Sequence, residues 1–134
     1  MIMNEMIHNV RIVKMNKEHR EGPALYWEGD SIGRWDGDTL VIETKNFWKG
    51  TAFNDSTPNM FLTERITRVG PDTLNYEFTI EDPTTWTAPW TASMPMQRMD
   101  LPIYEYACHE GNYGFDGIMA GIRRLQLEAV LADP

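Results

Sequence analysis

Two tight turns, each flanked by alternating apolar and polar residues, constrain this chain more than any other feature of its sequence. At the first turn, Asp36-Gly37 supplies the positive φ that a tight β-hairpin needs, and the alternating segment Leu40–Thr44 follows it. At the second, Gly70-Pro71-Asp72 precedes Leu74–Ile80, whose apolar residues share one face. Because successive side chains of a strand point to opposite faces, both patterns predict antiparallel hairpins with one apolar face.

Weaker patterns complete the predicted architecture. Further strands are expected over residues 1–15, 86–96 and 103–110, with loops at 16–22 and 48–59 and a helix at about 116–131. Several hairpin-connected strands and one C-terminal helix predict a mainly β fold in a single domain over 1–134. We expect either an antiparallel barrel or a strongly curved sheet. Gly33-Arg34-Trp35 is similar to the short Gly-x-Trp signature of lipocalin-like barrels.

Composition excludes several classes of partner. The formal net charge of the 134 residues is -8, which argues against nucleic acid and against anionic membrane surfaces, since both require clustered Lys and Arg. No apolar run approaches the roughly 18 residues that a membrane-spanning helix needs. A single cysteine, Cys108, excludes an intrachain disulfide. These features predict that the chain as it stands is soluble and cytoplasmic.

Glu64 is the first candidate for a catalytic residue. It lies between Leu62 and Ile66 on the face that we expect to point inward. An apolar setting disfavours the charged carboxylate and raises its pKa, which is how a general acid or base is tuned toward neutral pH. The alternative is a buried ion pair between Glu64 and an arginine, either Arg11 or Arg65.

His8 is the second catalytic candidate, because the alternation of residues 1–15 places it on an apolar strand face with Met6 and Val10. Tyr106 and His109 are supporting candidates on the polar and aromatic segment 103–113, the first as a hydrogen-bond donor and the second as a proton carrier. His8, His109, Glu64 and Glu105 are of metal-ligand type, and whether they converge stays open. No spacing typical of a metal site is present, and we predict neither a metal nor another cofactor.

Aromatic residues suggest a binding function as the alternative to catalysis. Exposed tryptophans stack on sugars or aromatic ligands, although packing in the core explains many of them equally well. The candidate ligand-contacting residues are Trp35, Trp86, Trp90, Arg65, Tyr76 and Glu105.

Four segments combine into a specific pattern over nearly the whole chain. They are Glu5-Met6-Ile7-His8, Gly29 to Thr44, Thr63-Glu64-Arg65 and Tyr104 to Glu110. The combination resembles a large uncharacterised family of environmental bacterial proteins, many of them longer and carrying a secretory signal. The resemblance implies a match to the C-terminal part of such relatives, with a periplasmic or secreted location in that case. It transfers no catalytic role, because the family has no established activity.

Two functional hypotheses follow. The first is a small acid–base enzyme of the lyase, isomerase or hydrolase type, which acts on a small organic or sugar-like substrate in a β-barrel pocket. The second is a non-catalytic β domain that binds an apolar or glycan ligand or a partner subunit. In both, the expected partner is a small molecule, and association into a homo-oligomer stays open.

Overall fold

The computed structural model describes residues 1–50, 53–107, 111 and 113–132, without the side chains of 54 and 129–132. The fold is mainly β, with one C-terminal helix. The strands are β1 (Ile2–Met3), β2 (Val10–Arg11), β3 (Val13–Met15), β4 (Asp30–Asp36), β5 (Thr39–Lys45), β6 (Phe61–Gly70), β7 (Thr73–Glu81) and β8 (Trp90–Gln97). The helix α1 spans Gly114–Ala132, and short 3₁₀ turns span Met6–His8 and Phe53–Asp55.

Six strands form one sheet in the order β3-β4-β5-β6-β7-β8, and β1 pairs with β2 in a separate two-stranded sheet. From β4 to β8 all neighbours are antiparallel. Both predicted hairpins are confirmed: Asp36 pairs with Thr39 across a turn in which Gly37 has φ +58°, and Gly70 pairs with Thr73. Only β3 runs parallel to its neighbour within the described sheet, and it reaches β4 through the long connection 16–29.

The register divides the sheet into an apolar and a polar face. Ile42, Glu64 and Phe78 lie side by side across β5, β6 and β7, so Glu64 shares the apolar face as the sequence predicts. Ile42 and Ile80 are fully buried on this face. The opposite face carries polar cross-strand pairs, such as the hydrogen-bonded hydroxyls of Thr39 and Thr67.

Asp82 connects the loop before β6 to the end of β7 through hydrogen bonds. Its buried carboxylate accepts hydrogen bonds from the backbone N–H and hydroxyl of Thr57 and from those of Thr84. Burial alone would raise the pKa of Asp82, but these donors outweigh it and hold the pKa below its usual value. With the loop held in this position, Met60 packs in a hydrophobic cluster with Ile80 and Trp90.

Two of the predicted strands are wrong within the described residues. Residues 1–15 do not form one strand, because the turn Met6–His8 separates β1 from β2, and Ile7 and His8 adopt positive φ values of 60° and 51°. Residues 103–107 form no strand, and 108–110 lie outside the described residues. The strand predicted at 86–96 is confirmed over residues 90–96 but not over 86–89, since β8 spans Trp90–Gln97, and the predicted helix is confirmed and slightly longer.

The six-stranded sheet is open, with β3 and β8 at its two edges, so the expected barrel is not confirmed. The chain divides into two compact units, Met1–Ile103, which contains the strands, and Tyr104–Pro134, which contains α1. The single-domain organisation stays a prediction. Within the described residues, no helix combines the length and apolar character needed to cross a bilayer.

Candidate functional site

Glu64 is engaged on both carboxylate oxygens. The two Nη atoms of Arg11 donate to Oε2 at 2.7 Å and to Oε1 at 2.9 Å, and the Tyr76 hydroxyl donates to Oε1 at 2.7 Å. Burial and the neighbouring Glu64 charge raise the pKa of Tyr76 well above its usual value. This arrangement is the ion pair considered as the alternative for Glu64, with Arg11 as the partner. Arg65 instead pairs with Asp36 near the first hairpin turn.

The other predicted catalytic residues lie in different surroundings. His8 is exposed in the 3₁₀ turn instead of on an apolar strand face, because the chain reverses between β1 and β2. Tyr106 is exposed outside any strand, and His109 lies outside the described residues. Four cavities in the described part of the chain have volumes between about 100 and 630 Å³, and neither Glu64 nor His8 lines any of them.

The predicted ligand-contacting residues are also dispersed. Trp86 and Trp90 are half-buried and pack against the cluster around Ile80, with their rings 5.9 Å apart. Trp35 is exposed on the first hairpin, and Glu105 is exposed in the segment after Ile103. The Tyr76 hydroxyl donates a hydrogen bond to Glu64. These six residues therefore do not converge on any of the four cavities.

A different tryptophan lines the cavity of about 630 Å³. Trp27 is 64% exposed and stacks on Trp48, with ring centroids 5.4 Å apart and planes within 19°. The rest of the lining comes from the turn between β1 and β2, which contributes Asn4, Glu5, Met6, Ile7 and Asn9. We call this cavity the Trp27 cavity.

Backbone contacts hold the Trp27–Trp48 stack in place. Tyr26 and Phe47 form an isolated parallel bridge, and the Tyr26 carbonyl accepts a 2.8 Å hydrogen bond from the Trp48 N–H. Tyr26 N–H in turn donates to the Asn46 carbonyl. Two tryptophans that are distant in sequence are thereby fixed side by side before any ligand arrives, which lowers the entropic cost of binding.

The turn that faces Trp27 is conformationally unusual. A β-branched residue rarely adopts positive φ, yet Ile7 does so, and His8 follows in the same region. The pairing of Met3 with Val10 and the hydrogen bond from Asn4 N–H to the Asn9 carbonyl close the turn at its base. Such strain persists where the surrounding structure enforces it, and it concentrates at binding sites.

The lining combines apolar and polar groups. Met6 and Ile7 present apolar surface beside the Trp27 ring, while Asn4, Glu5 and Asn9 contribute amide and carboxylate groups. Within the part of the chain that the structure describes, the side-chain amides of Asn4 and Asn9 make no hydrogen bond. Amides both donate and accept, so this lining is suited to a ligand with a ring face and several hydroxyl groups.

Asp30 forms a second polar cluster at the start of β4. Its buried carboxylate accepts from Lys14 Nζ at 2.7 Å and from the Arg20 backbone N–H at 2.8 Å, and His19 Nδ1 lies at 3.2 Å. Burial acts to raise the pKa of Asp30, but these donors outweigh it and lower the pKa. His19 Nε2 is buried without a partner among the described residues. Asp30 and Lys14 also line a cavity of about 130 Å³.

Sequence reasoning missed both the Trp27 cavity and the Asp30 cluster. Trp27 and His19 lie in the connection between β3 and β4, where no alternation assigns a side chain to a face. A local signal in the sequence is the glycine at position 29. In the structure Gly29 has φ +70°, and a Cβ there would lie too close to Thr44 and Phe47, so the backbone packs tightly at this point.

Comparisons with protein-family models, with curated proteins and with solved structures found no match. The resemblance to the environmental bacterial family therefore stays a prediction. Among the described residues, no group of three or more His, Cys, Asp or Glu side chains is placed to hold a metal ion.

Proposed function

We propose that this chain is a binding domain for a sugar-like ligand, which it takes up in the Trp27 cavity without catalysing a reaction. The observation that carries the proposal is the exposed Trp27 ring, which is stacked on Trp48 and lines a cavity with amide groups at its edge. A volume of about 630 Å³ lies within the usual range for small-molecule sites, roughly 300–1,000 Å³.

The chemistry of a pyranose ring matches this lining in two respects. One face of the ring presents C–H groups that pack against an indole, while the hydroxyl groups around it need donors and acceptors. Trp27 offers the first surface, and Asn4 and Asn9 offer the second. A purely apolar ligand would leave those amides desolvated and unpaired, which costs free energy.

The experiment is a calorimetric titration with cellohexaose, xylohexaose and maltohexaose as probes, with tryptophan fluorescence as a parallel readout. We expect at least one of these oligosaccharides to bind the wild-type chain. Trp27→Ala should weaken that binding by about fivefold or more, because an aromatic stacking contact contributes roughly 1 kcal/mol.

Trp35→Ala is the matched comparison, because Trp35 is also 64% exposed and lines none of the four cavities. We expect it to bind as the wild type does. Equal losses in the two variants would contradict the assignment to the Trp27 cavity. Binding that depends on Trp35 alone would favour the site predicted from the sequence. The absence of binding to all three probes would count against a glycan ligand.

Acid–base catalysis is the second candidate, supported by the contact between the partly buried His19 imidazole and the buried Asp30 carboxylate. A carboxylate that orients an imidazole is a recurrent arrangement in proton transfer. A panel of p-nitrophenyl glycosides tests this candidate directly. Turnover that disappears in His19→Gln and persists in Trp27→Ala would favour catalysis at Asp30. The absence of turnover in the wild type would remove the support for it.

A further inference from the structure

Among the described strands, none pairs with the outer edge of β8, and this strand carries no charged residue. Along Trp90–Gln97 most side chains are exposed, and the sequence of this strand contains no Asp, Glu, Lys or Arg. Proteins that avoid edge-to-edge pairing usually place charges, especially lysine, or proline on such a strand, and of these β8 contains only Pro95. In a chain of net charge -8, an uncharged edge is therefore a place where two copies can approach without opposing fixed charges.

One hydrogen bond shows which residues of β8 direct their backbone N–H and C=O groups toward β7. Arg98 N–H donates to the Asp72 carbonyl at 2.8 Å, directly after the paired residues Thr73 and Gln97. In an antiparallel ladder, alternate residues turn their N–H and C=O groups to the same neighbour. Even-numbered residues of β8 therefore bond to β7, and odd-numbered residues direct their backbone groups to the open edge.

Proline then limits which donors the open edge offers. Pro95 is an odd-numbered residue and has no N–H. Because its backbone groups face the open edge, the missing donor removes no hydrogen bond between β8 and β7. The remaining outward donors in the strand are those of Thr91, Ser93 and Gln97. A second strand can use all three only if its register tolerates the gap at Pro95.

We propose that a second copy of this chain pairs with β8, antiparallel and about a two-fold axis at Met94, so that the two sheets become one. In this register Thr91 lies opposite Gln97 of the other copy, and Ser93 lies opposite Pro95. All three outward donors of each copy then meet a carbonyl, including that of Pro95. The two Met94 side chains, each 42% exposed, meet at the axis.

Self-pairing fits the strand better than an unrelated peptide does. A two-fold contact requires one surface to be complementary to itself, and the strand is uncharged throughout, with hydroxyl and amide side chains on one face. On the other face Ala92 lies opposite Met96, a small residue beside a flexible one that packs easily.

Sedimentation velocity of the full chain over a wide concentration range tests the proposal. We expect a concentration-dependent dimer. Ser93→Pro should weaken dimerisation by about tenfold or more, because it removes one outward N–H from each copy and leaves the ladder to β7 intact. Ser93→Ala is the control, since it removes only the hydroxyl that donates to Asn75 and keeps the N–H.

A charge pair at the axis tests the register itself. Met94→Lys alone and Met94→Glu alone should each be monomeric, because like charges meet at the two-fold axis. A mixture of the two variants should form a heterodimer. A monomeric wild type at every concentration would overturn the proposal, as would a dimer that Ser93→Pro leaves unchanged. Dimerisation with no recovery in the mixture would overturn the Met94 register.

Discussion

Glu64 and Glu43 form arginine pairs on opposite faces of the same sheet, and their burial differs sharply. The side chains of Arg11 and Glu64 are 13% and 4% exposed, whereas those of Arg34 and Glu43 are 52% and 24% exposed. A buried charge that loses its partner is left uncompensated, while an exposed charge is solvated by water. The same substitution should therefore have different costs on the two faces.

We expect Glu64→Ala to lower the free energy of unfolding by about 3 kcal/mol, because the Arg11 guanidinium loses both of its acceptors. Glu43→Ala should cost about 1 kcal/mol or less. Urea denaturation monitored by tryptophan fluorescence measures both values. Similar losses in the two variants would mean that burial does not determine the strength of these pairs.

Asp82 makes stability depend on acid pH. Its pKa is lowered in the folded chain, so its contribution is fully present above the pKa of the unfolded chain, about 3.9, and declines as pH falls below it. We expect the free energy of unfolding to drop progressively as the pH falls from about 5 toward the lowered pKa of Asp82 in the folded chain. Asp82→Asn should be less stable at neutral pH and show a shallower drop. An unchanged slope in this variant would assign the acid sensitivity to other groups, such as Asp30.

At the scale of the elements, β3 depends on a glycine in its neighbour. A Cβ at Gly33 would lie 2.7 Å from Val13 Cγ1 and 2.9 Å from Met15 Sδ, closer than side-chain atoms normally approach. Gly33→Ala should therefore displace β3 and lower stability by roughly 1–3 kcal/mol. Thermal unfolding checks the loss. Full stability in this variant would show that β3 absorbs the added methyl group.

Gly117 and Gly37 offer a matched comparison of two elements. A Cβ at either residue would meet no atom within 4 Å in the described structure, but Gly37 has φ +58° in a hairpin and Gly117 lies in α1. Gly117→Ala should increase the helical signal in circular dichroism and add up to about 1 kcal/mol of stability. Gly37→Ala should destabilise by about 1 kcal/mol, because L residues disfavour this φ. Effects of the same sign would contradict this account.

At the scale of the whole molecule, charge sets the range of partners. With 20 acidic and 12 basic residues, the chain repels polyanions at distances up to the Debye length, about 10 Å in 0.1 M salt. We expect no binding of a fluorescent single-stranded oligonucleotide, least of all at low salt, where the repulsion between the acidic chain and the phosphates is least screened. Fluorescence anisotropy measures it, and saturable binding at low salt would refute the prediction.

The sequence predicts those parts of the molecule that local rules determine. Alternation and a tight turn fix the register of β6 and β7, and so the inward position of Glu64 follows. Alternation also excludes Arg65, which points to the opposite face from Glu64, but it does not identify Arg11 as the partner, because that depends on where the N-terminal segment crosses the sheet. The expected strand position of His8 is wrong, because Ile7 adopts a positive φ that β-branched residues disfavour and the chain turns at this point. The contact of Trp27 with Trp48 depends on the bridge between Tyr26 and Phe47, which no local pattern encodes.

The parallel pairing of β3 has a consequence for the order of folding. The hairpins β4–β5 and β6–β7 each close through a two-residue turn, whereas β3 can pair in parallel with β4 only after residues 16–29 have been brought back across the sheet. We therefore expect these two hairpins to form early and β3 to join the sheet late. Amide hydrogens of β3 should therefore exchange with solvent ahead of those at Ile42 and Ile80, and substitutions at Gly33 should accelerate unfolding while leaving the folding rate nearly unchanged.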